Sequence, residues 1–165
     1  MNIIDTMREV YRHADLYSDD PSTRNAAYLV RGGEVVARGA NKFPEGVLRV
    51  DTRAELLTDR DRKLVHIEHA ERCAIYDAAS IGVRTKGTTM VCPWACCAPC
   101  ARAIVMAGIV QVVAHKQILD RTPERWWKEI ADGMGILKSG GVEFIPLDAE
   151  IGNIKNLFNG EVWLP

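Results

Sequence analysis

The sequence predicts an α/β domain in three layers, with helices on both faces of a mixed, largely parallel sheet. Three observations carry this expectation. Strand-like and helix-like segments alternate from residue 67 to residue 145. The pair Gly32-Gly33 separates two strand-like runs, the mark of a hairpin. Residues 109–114 are apolar apart from Gln111, as in an interior strand covered on both sides. A length of 165 residues suits one domain, 1–165.

In order along the chain, Ile3, Ile4, Met7, Val10, Tyr11 and Ala14 recur at helical spacing over residues 2–17. Asp19, Asp20, Pro21 and Ser22 then break the pattern. Strands are expected at 26–30 and 34–40, with a long connection and a short helix over 41–62 bordering a pocket. A helix over 67–79 has a slim face of Ala70, Ala74, Ala78 and Ile75, small enough to lie close on a sheet. A strand at 88–91, a helix at 97–107 ended by Gly108, and the strand at 109–114 follow. A helix from Pro123 to about Ala131 and a strand at 142–145 complete the alternation. Residues 150–165 are weakly patterned and read as a short helix with the apolar tail Val162-Trp163-Leu164-Pro165.

Charge excludes some classes of function. Lys and Arg number 21 against 22 Asp and Glu, a net charge of −1, which disfavours a protein that coats nucleic acid or an anionic membrane. No apolar run approaches the roughly 20 residues that span a bilayer. The opening MNIIDTMREV is amphipathic and charged rather than a secretory leader, so a cytoplasmic location is expected. Of five cysteines, Cys92, Cys96, Cys97 and Cys100 crowd together, a poor disulfide framework and a plausible metal site in a reducing compartment.

The chemistry lies in two segments. His69-Ala70-Glu71 is followed by Cys97-Ala98-Pro99-Cys100, each near the start of an expected helix. One imidazole and two thiolates supply three tetrahedral Zn²⁺ ligands and leave the fourth position open, the arrangement of catalytic rather than structural zinc. Zinc lowers the pKa of water toward ~7, and a carboxylate two residues from the histidine can reach that water and relay its proton. This is the chemistry that replaces an exocyclic amine on a heterocycle with oxygen. Neither triplet nor CxxC is specific alone. Together they form the H-x-E…C-x-x-C signature of zinc deaminases. Cys96 in place of Cys97 would give a CxxxC spacing instead.

On these residues the chain resembles the cytidine and deoxycytidylate deaminase superfamily, most closely its deoxycytidylate branch. The resemblance runs over roughly residues 18–115. Asp20-Pro21-Ser22-Thr23 precedes the first strand, Gly39 to Gly46 resembles the branch's glycine-x-asparagine-x-x-proline-x-glycine loop, and both metal helices match. It implies a cytidine-deaminase-like fold, zinc held by His69, Cys97 and Cys100, Glu71 as proton shuttle, and Asn41 holding the sugar or orienting the ring. It also implies a homo-oligomer, a dimer or hexamer whose neighbours help complete each pocket. The match downstream of the cysteines favours Cys97 over Cys96. Two departures bear on substrate: Cys96 stands where the family has proline, and Cys73 where deoxycytidylate members carry asparagine.

The substrate-binding candidates are therefore Asn41, Trp94, Cys73 and Ala70. Trp94 can stack on a base or serve packing. Cys73, Cys92 and Cys96 fit buried small hydrophobes better than an extra redox element. Trp126 and Trp127 cannot face one way on a helix, so one is expected in the core and the other over a pocket or contact. Arg24, Arg49, Arg53 and Arg102 are possible phosphate contacts, with a solvated role as the default. The expected substrate is a small-molecule nucleotide such as dCMP. A nucleoside, free base or other amino-heterocycle is the alternative, and a non-catalytic zinc scaffold is the reading from a different class.

Overall fold

A computed structural model of the chain describes residues 2–47, 55–152 and 154–165. Arg49 and Arg53 lie outside the described residues. A five-stranded sheet has the order β2-β1-β3-β4-β5. Its strands are β1 (Ala26–Arg31), β2 (Glu34–Ala40), β3 (Thr89–Val91), β4 (Gln111–His115) and β5 (Glu143–Leu147). β1 pairs antiparallel with both β2 and β3, while β3–β4 and β4–β5 are parallel. The sheet is mixed as expected, but its parallel and antiparallel pairs are equal in number, and parallel pairing is confined to the β3-β4-β5 half.

Side-chain alternation along the strands builds two cores. Ala27, Leu29, Met90, Cys92 and Val112 face one side, where α3 (Ala70–Ser80), α4 (Ala98–Met106) and α6 (Trp127–Ser139) pack. Ala26, Tyr28, Val91 and Val113 face the other, covered by α1 (Ile3–Tyr17), α5 (Lys116–Asp120) and a C-terminal hairpin. These are the three α/β/α layers. α1 buries Met7, Val10, Tyr11 and Ala14, one face at helical spacing. Each large side chain so buried contributes about 1.5–3 kcal/mol. Ala70, Ala74 and Ala78 line the inner face of α3, and Gly39 of β2 meets that helix so closely that a Cβ there would lie 2.3 Å from the Ala74 nitrogen.

Three elements differ from expectation. α3 begins at Ala70 rather than near residue 67, because His69 occupies the N-cap in extended conformation. After a 3₁₀ turn at Glu124–Trp126, α6 runs to Ser139, past Gly133 and Gly135. Residues 150–165 hold a β-hairpin in place of a short helix, β6 (Asn156–Phe158) against β7 (Glu161–Trp163). Its turn, Asn159-Gly160, has φ of 53° and 83°, the left-handed pair of a two-residue hairpin turn; Gly32-Gly33 adopts the same pair at 59° and 82°. Among the described residues no helix is long and apolar enough to cross a membrane.

Candidate active site

Helix starts place the metal-binding side chains. His69 is the N-cap of α3 and Cys97 the N-cap of α4, and Cys100 follows one turn into α4. Proline within the first turn of α4 costs nothing there, since that turn's N–H groups have no helical partner. His69 Nδ1 lies 3.4 Å from Cys97 Sγ and 3.6 Å from Cys100 Sγ. Ligands at zinc's usual S and N bond lengths and a tetrahedral angle stand about 3.5 Å apart, so the three atoms fit zinc. Among the described residues they are the one group of His, Cys, Asp and Glu side chains so clustered. The sulfurs that meet His69 are those of Cys97 and Cys100, at CxxC spacing, and Cys96 is not in that group.

Thiol electrostatics divide the sulfur pair, with the proton held on Cys100. A hydrogen bond from Cys100 holds the Cys97 thiol down to about 4 against the opposing effect of burial, with His69 helping. The same bond and burial hold the Cys100 proton up. Arg72 Nη1 donates to Cys100 Sγ at 3.3 Å and so brings a positive charge to the sulfur pair. Burial pushes Cys92 and Cys96 well up, leaving them as thiols, and pushes Cys73 up to about 12.

Glu71, on the first turn of α3, is 2% exposed, and its Oε2 meets no hydrogen-bond donor among the described residues. Burial raises its pKa above the ordinary carboxylate range, although the nearby His69 charge opposes this. The carboxyl lines a pocket together with His69, Cys97, Asn41 and Trp94. Asn41 works on both sides of that pocket. Its Oδ1 accepts the Ala70 N–H at 3.0 Å, and its Nδ2 donates to the Thr23 carbonyl at 3.2 Å, tying the end of β2 to α3 and to the loop before β1. Trp94 is fixed by a 2.9 Å bond from Nε1 to Thr122 Oγ1 and by edge contacts with Trp126 and Phe158.

Ala70 and Cys73 lie outside the pocket lining. Ala70 is fully buried on the inner face of α3, and the Cys73 thiol points back to the Glu68 carbonyl. Of the tryptophan pair, Trp126 lines the pocket and Trp127 is 59% exposed, so neither is core. Arg24 pairs with Asp15 on the surface, and neither it nor Arg102 lines the pocket.

The pocket also contains residues that sequence reading did not single out. Arg60 and Lys63 come from α2 (Arg60–His66), Arg125 from the 3₁₀ turn, and Asn25 from the residue just before β1. Lys63 is buried, with Nζ 2.9 Å from Asp20 Oδ1 and 3.1 Å from Ser22 Oγ. Asp20 in turn accepts the N–H groups of Ser22 and Thr23. Arg60 lies over the Trp126 ring, and Arg125 donates to Asn159 of the C-terminal turn. No local spacing signals these residues, because separate elements contribute them.

Fold and site together define a metal-binding hydrolase of the deaminase type. Residues 2–116 match the model of the cytidine and deoxycytidylate deaminase zinc-binding region, and the chain belongs to that family. An uncharacterized deaminase in the luxG 3′ region of Aliivibrio fischeri is 31% identical over 137 residues, 80% of this chain and 86% of that protein. The dCMP deaminase of cyanophage S-TIM5, solved with dCMP and dUMP, shares the fold with a TM-score of 0.67 at 22% identity, covering 87% of this chain and 94% of that one. A diaminohydroxyphosphoribosylaminopyrimidine deaminase/5-amino-6-(5-phosphoribosylamino)uracil reductase from Thermotoga maritima has a TM-score of 0.58 at 21% identity, over 87% of this chain and 36% of that longer one. The activity that follows from family membership and the His-Cys-Cys cluster is zinc-dependent hydrolytic deamination of an amino-heterocycle or nucleotide.

Proposed function

We propose that the substrate is the free monophosphate of an aminated pyrimidine, with dCMP the compound to test first. The observation that carries this reading is cationic: Arg60 and Arg125, from separate elements, line the same pocket as His69 and Glu71. Their guanidinium groups suit a phosphate, which planar donors bind in pairs. Trp94 and Trp126 offer apolar walls for a ring, and Asn41 retains a free amide hydrogen for the sugar or base.

His69, Cys97 and Cys100 hold zinc, which supplies a Lewis acid that lowers the pKa of water. Glu71 takes one proton from the attacking water and delivers it to the ring nitrogen, where it stays, then takes the second from the resulting hydroxyl and delivers it to the amine. The new bond joins the water oxygen to the ring carbon, the C–N bond breaks as that oxygen becomes a carbonyl, and ammonia leaves with the second proton. A buried carboxyl with an unmet oxygen and a raised pKa suits both halves of that relay. A zinc scaffold has no use for such a group. Five cysteines without a disulfide among them fit a reducing, cytoplasmic setting.

The test is mass-resolved turnover by zinc-loaded protein on dCMP, CMP, deoxycytidine, cytosine and adenine and guanine compounds, following replacement of NH₂ by OH. Turnover of monophosphates is expected, with Arg60→Ala and Arg125→Ala each raising KM for dCMP while leaving deoxycytidine unaffected. Turnover of nucleosides or bases alone would overturn the phosphate requirement. Glu71→Gln is expected to keep zinc and fold and to lose about 10²–10⁴ in kcat; unchanged turnover would overturn the mechanism.

A further inference from the structure

Asn25 presents a buried acceptor that the protein itself does not satisfy. The residue is 5% exposed, and its Oδ1 has no donor among the described residues. Its Nδ2 donates to Cys92 Sγ at 3.4 Å, and its carbonyl accepts the Asn41 N–H at 3.0 Å, so the side chain is held in place. Burial keeps Cys92 a neutral thiol, a weak acceptor for that donor. Four buried side-chain atoms lack partners among the described residues. Only two of them, Asn25 Oδ1 and Glu71 Oε2, belong to residues lining the active-site pocket. Leaving a buried acceptor unmet carries a desolvation cost, removed when a ligand brings the donor.

We propose that Asn25 is a specificity-determining residue whose Oδ1 accepts a hydrogen bond from an N–H or O–H donor on the substrate. This rests on the deaminase reading of the pocket and extends it, because the residue selects for a donor group rather than for ring size. Two donors on a nucleotide could meet it, the amine that leaves and a sugar hydroxyl. A hydrophobic side chain at this position would reject neither a donor nor its absence, whereas an unmet amide oxygen discriminates strongly.

The experiment is calorimetric binding to zinc-loaded Glu71→Gln protein, with and without Asn25→Leu. The probes are dCMP, dUMP (no amine) and 2′,3′-dideoxycytidine monophosphate (no sugar hydroxyl). Asn25→Leu is expected to weaken dCMP binding about 5- to 100-fold. That ratio should collapse to about one for the analogue that lacks the donor, on dUMP if the amine is met and on the dideoxy compound if the hydroxyl is. Equal ratios for all three, or no weakening of dCMP, would overturn the proposal.

Unfolding temperature supplies an independent reading. Removing an unmet acceptor should leave Tm unchanged or raise it, whereas a fall of more than about 4 °C marks a structural role and overturns the assignment. If Asn25→Leu does not fold, Asn25→Val withdraws the oxygen with less bulk and is read by the same ratios. Should the parent bind cytosine but no nucleotide, the phosphate reading fails alone, and the Asn25 ratio is taken on cytosine against uracil. If the parent binds none of these probes, both readings fall.

Discussion

Arg72 stands one residue past Glu71, and its guanidinium reaches back to the metal-binding sulfurs, with Glu68 on its other side. Two thiolates on one zinc leave little net positive charge for polarising water, and a donor on Cys100 draws some of that negative charge away. Arg72→Leu is expected to lower zinc affinity about 10- to 100-fold, measured by competition with a chromophoric chelator. Unchanged affinity would leave Arg72 a partner of Glu68 alone. At this scale the sequence was legible where chemistry is local. His69, Glu71, Cys97 and Cys100 stand out because one helical turn fixes the spacing within each pair. Asn25, Arg60 and Arg125 did not, because their shared pocket exists only once β1, α2 and the 3₁₀ turn are packed together.

Among the elements, α6 decides how the metal loop sits. At Gly133 a Cβ would lie 2.2 Å from the Cys96 carbonyl oxygen, so the helix rests directly on the chain entering Cys97. Gly133→Ala should push that loop away, destabilising the fold by about 1–3 kcal/mol and weakening zinc binding together with it. A variant that lost stability but kept its zinc affinity would show that the loop yields elsewhere. The same contact explains why α6 outruns its sequence signal. Gly133 and Gly135 weaken helix propensity, yet packing against Cys96 outweighs that cost. The C-terminal hairpin was missed for another reason. Asn159-Gly160 is a strong turn signal, but the flanking strands have three residues each, too short to show alternation. That turn is anchored at the pocket, with the Asn159 N–H on Thr23 Oγ1 at 3.1 Å and the Gly160 N–H on the Ser22 carbonyl at 2.7 Å.

For the whole molecule, the side of the sheet remote from the α3–α4–α6 core holds a buried histidine. His115 accepts from the Tyr11 hydroxyl at 2.8 Å through Nδ1 and donates to the Ala149 carbonyl at 2.9 Å through Nε2. Trp163 stacks on its ring, and Arg121 lies over the Trp163 ring. Burial lowers the His115 pKa, so the native state resists a proton that the unfolded chain accepts below about 6.5. Its contribution is therefore complete above that pH and declines as pH falls toward the lower native value. Tm should drop between pH 7.5 and 5.5, and His115→Gln should flatten the slope; an equal slope would place the pH dependence on other groups. That the sheet is covered on both faces was readable in β4, where the run 109–114 is apolar apart from Gln111. The equal division between parallel and antiparallel pairs was not, since strand order depends on contacts distant in sequence.

The positions of His69, Cys97 and Cys100 carry a further consequence for assembly. The histidine stands 28 and 31 residues from the two sulfurs along the chain, and β3 lies between them. All three ligand atoms meet only after α3 and α4 have docked on the same face of the sheet. The ion therefore acts as a buckle fastened after folding, and the native chain competes for it far better than the disordered one. At free zinc one hundredfold above Kd this linkage adds about 2.7 kcal/mol. Chelation should accordingly lower Tm by about 5–10 °C without dismantling the sheet, so that metal supply would set how much of the protein persists in a cell as well as how fast it turns over.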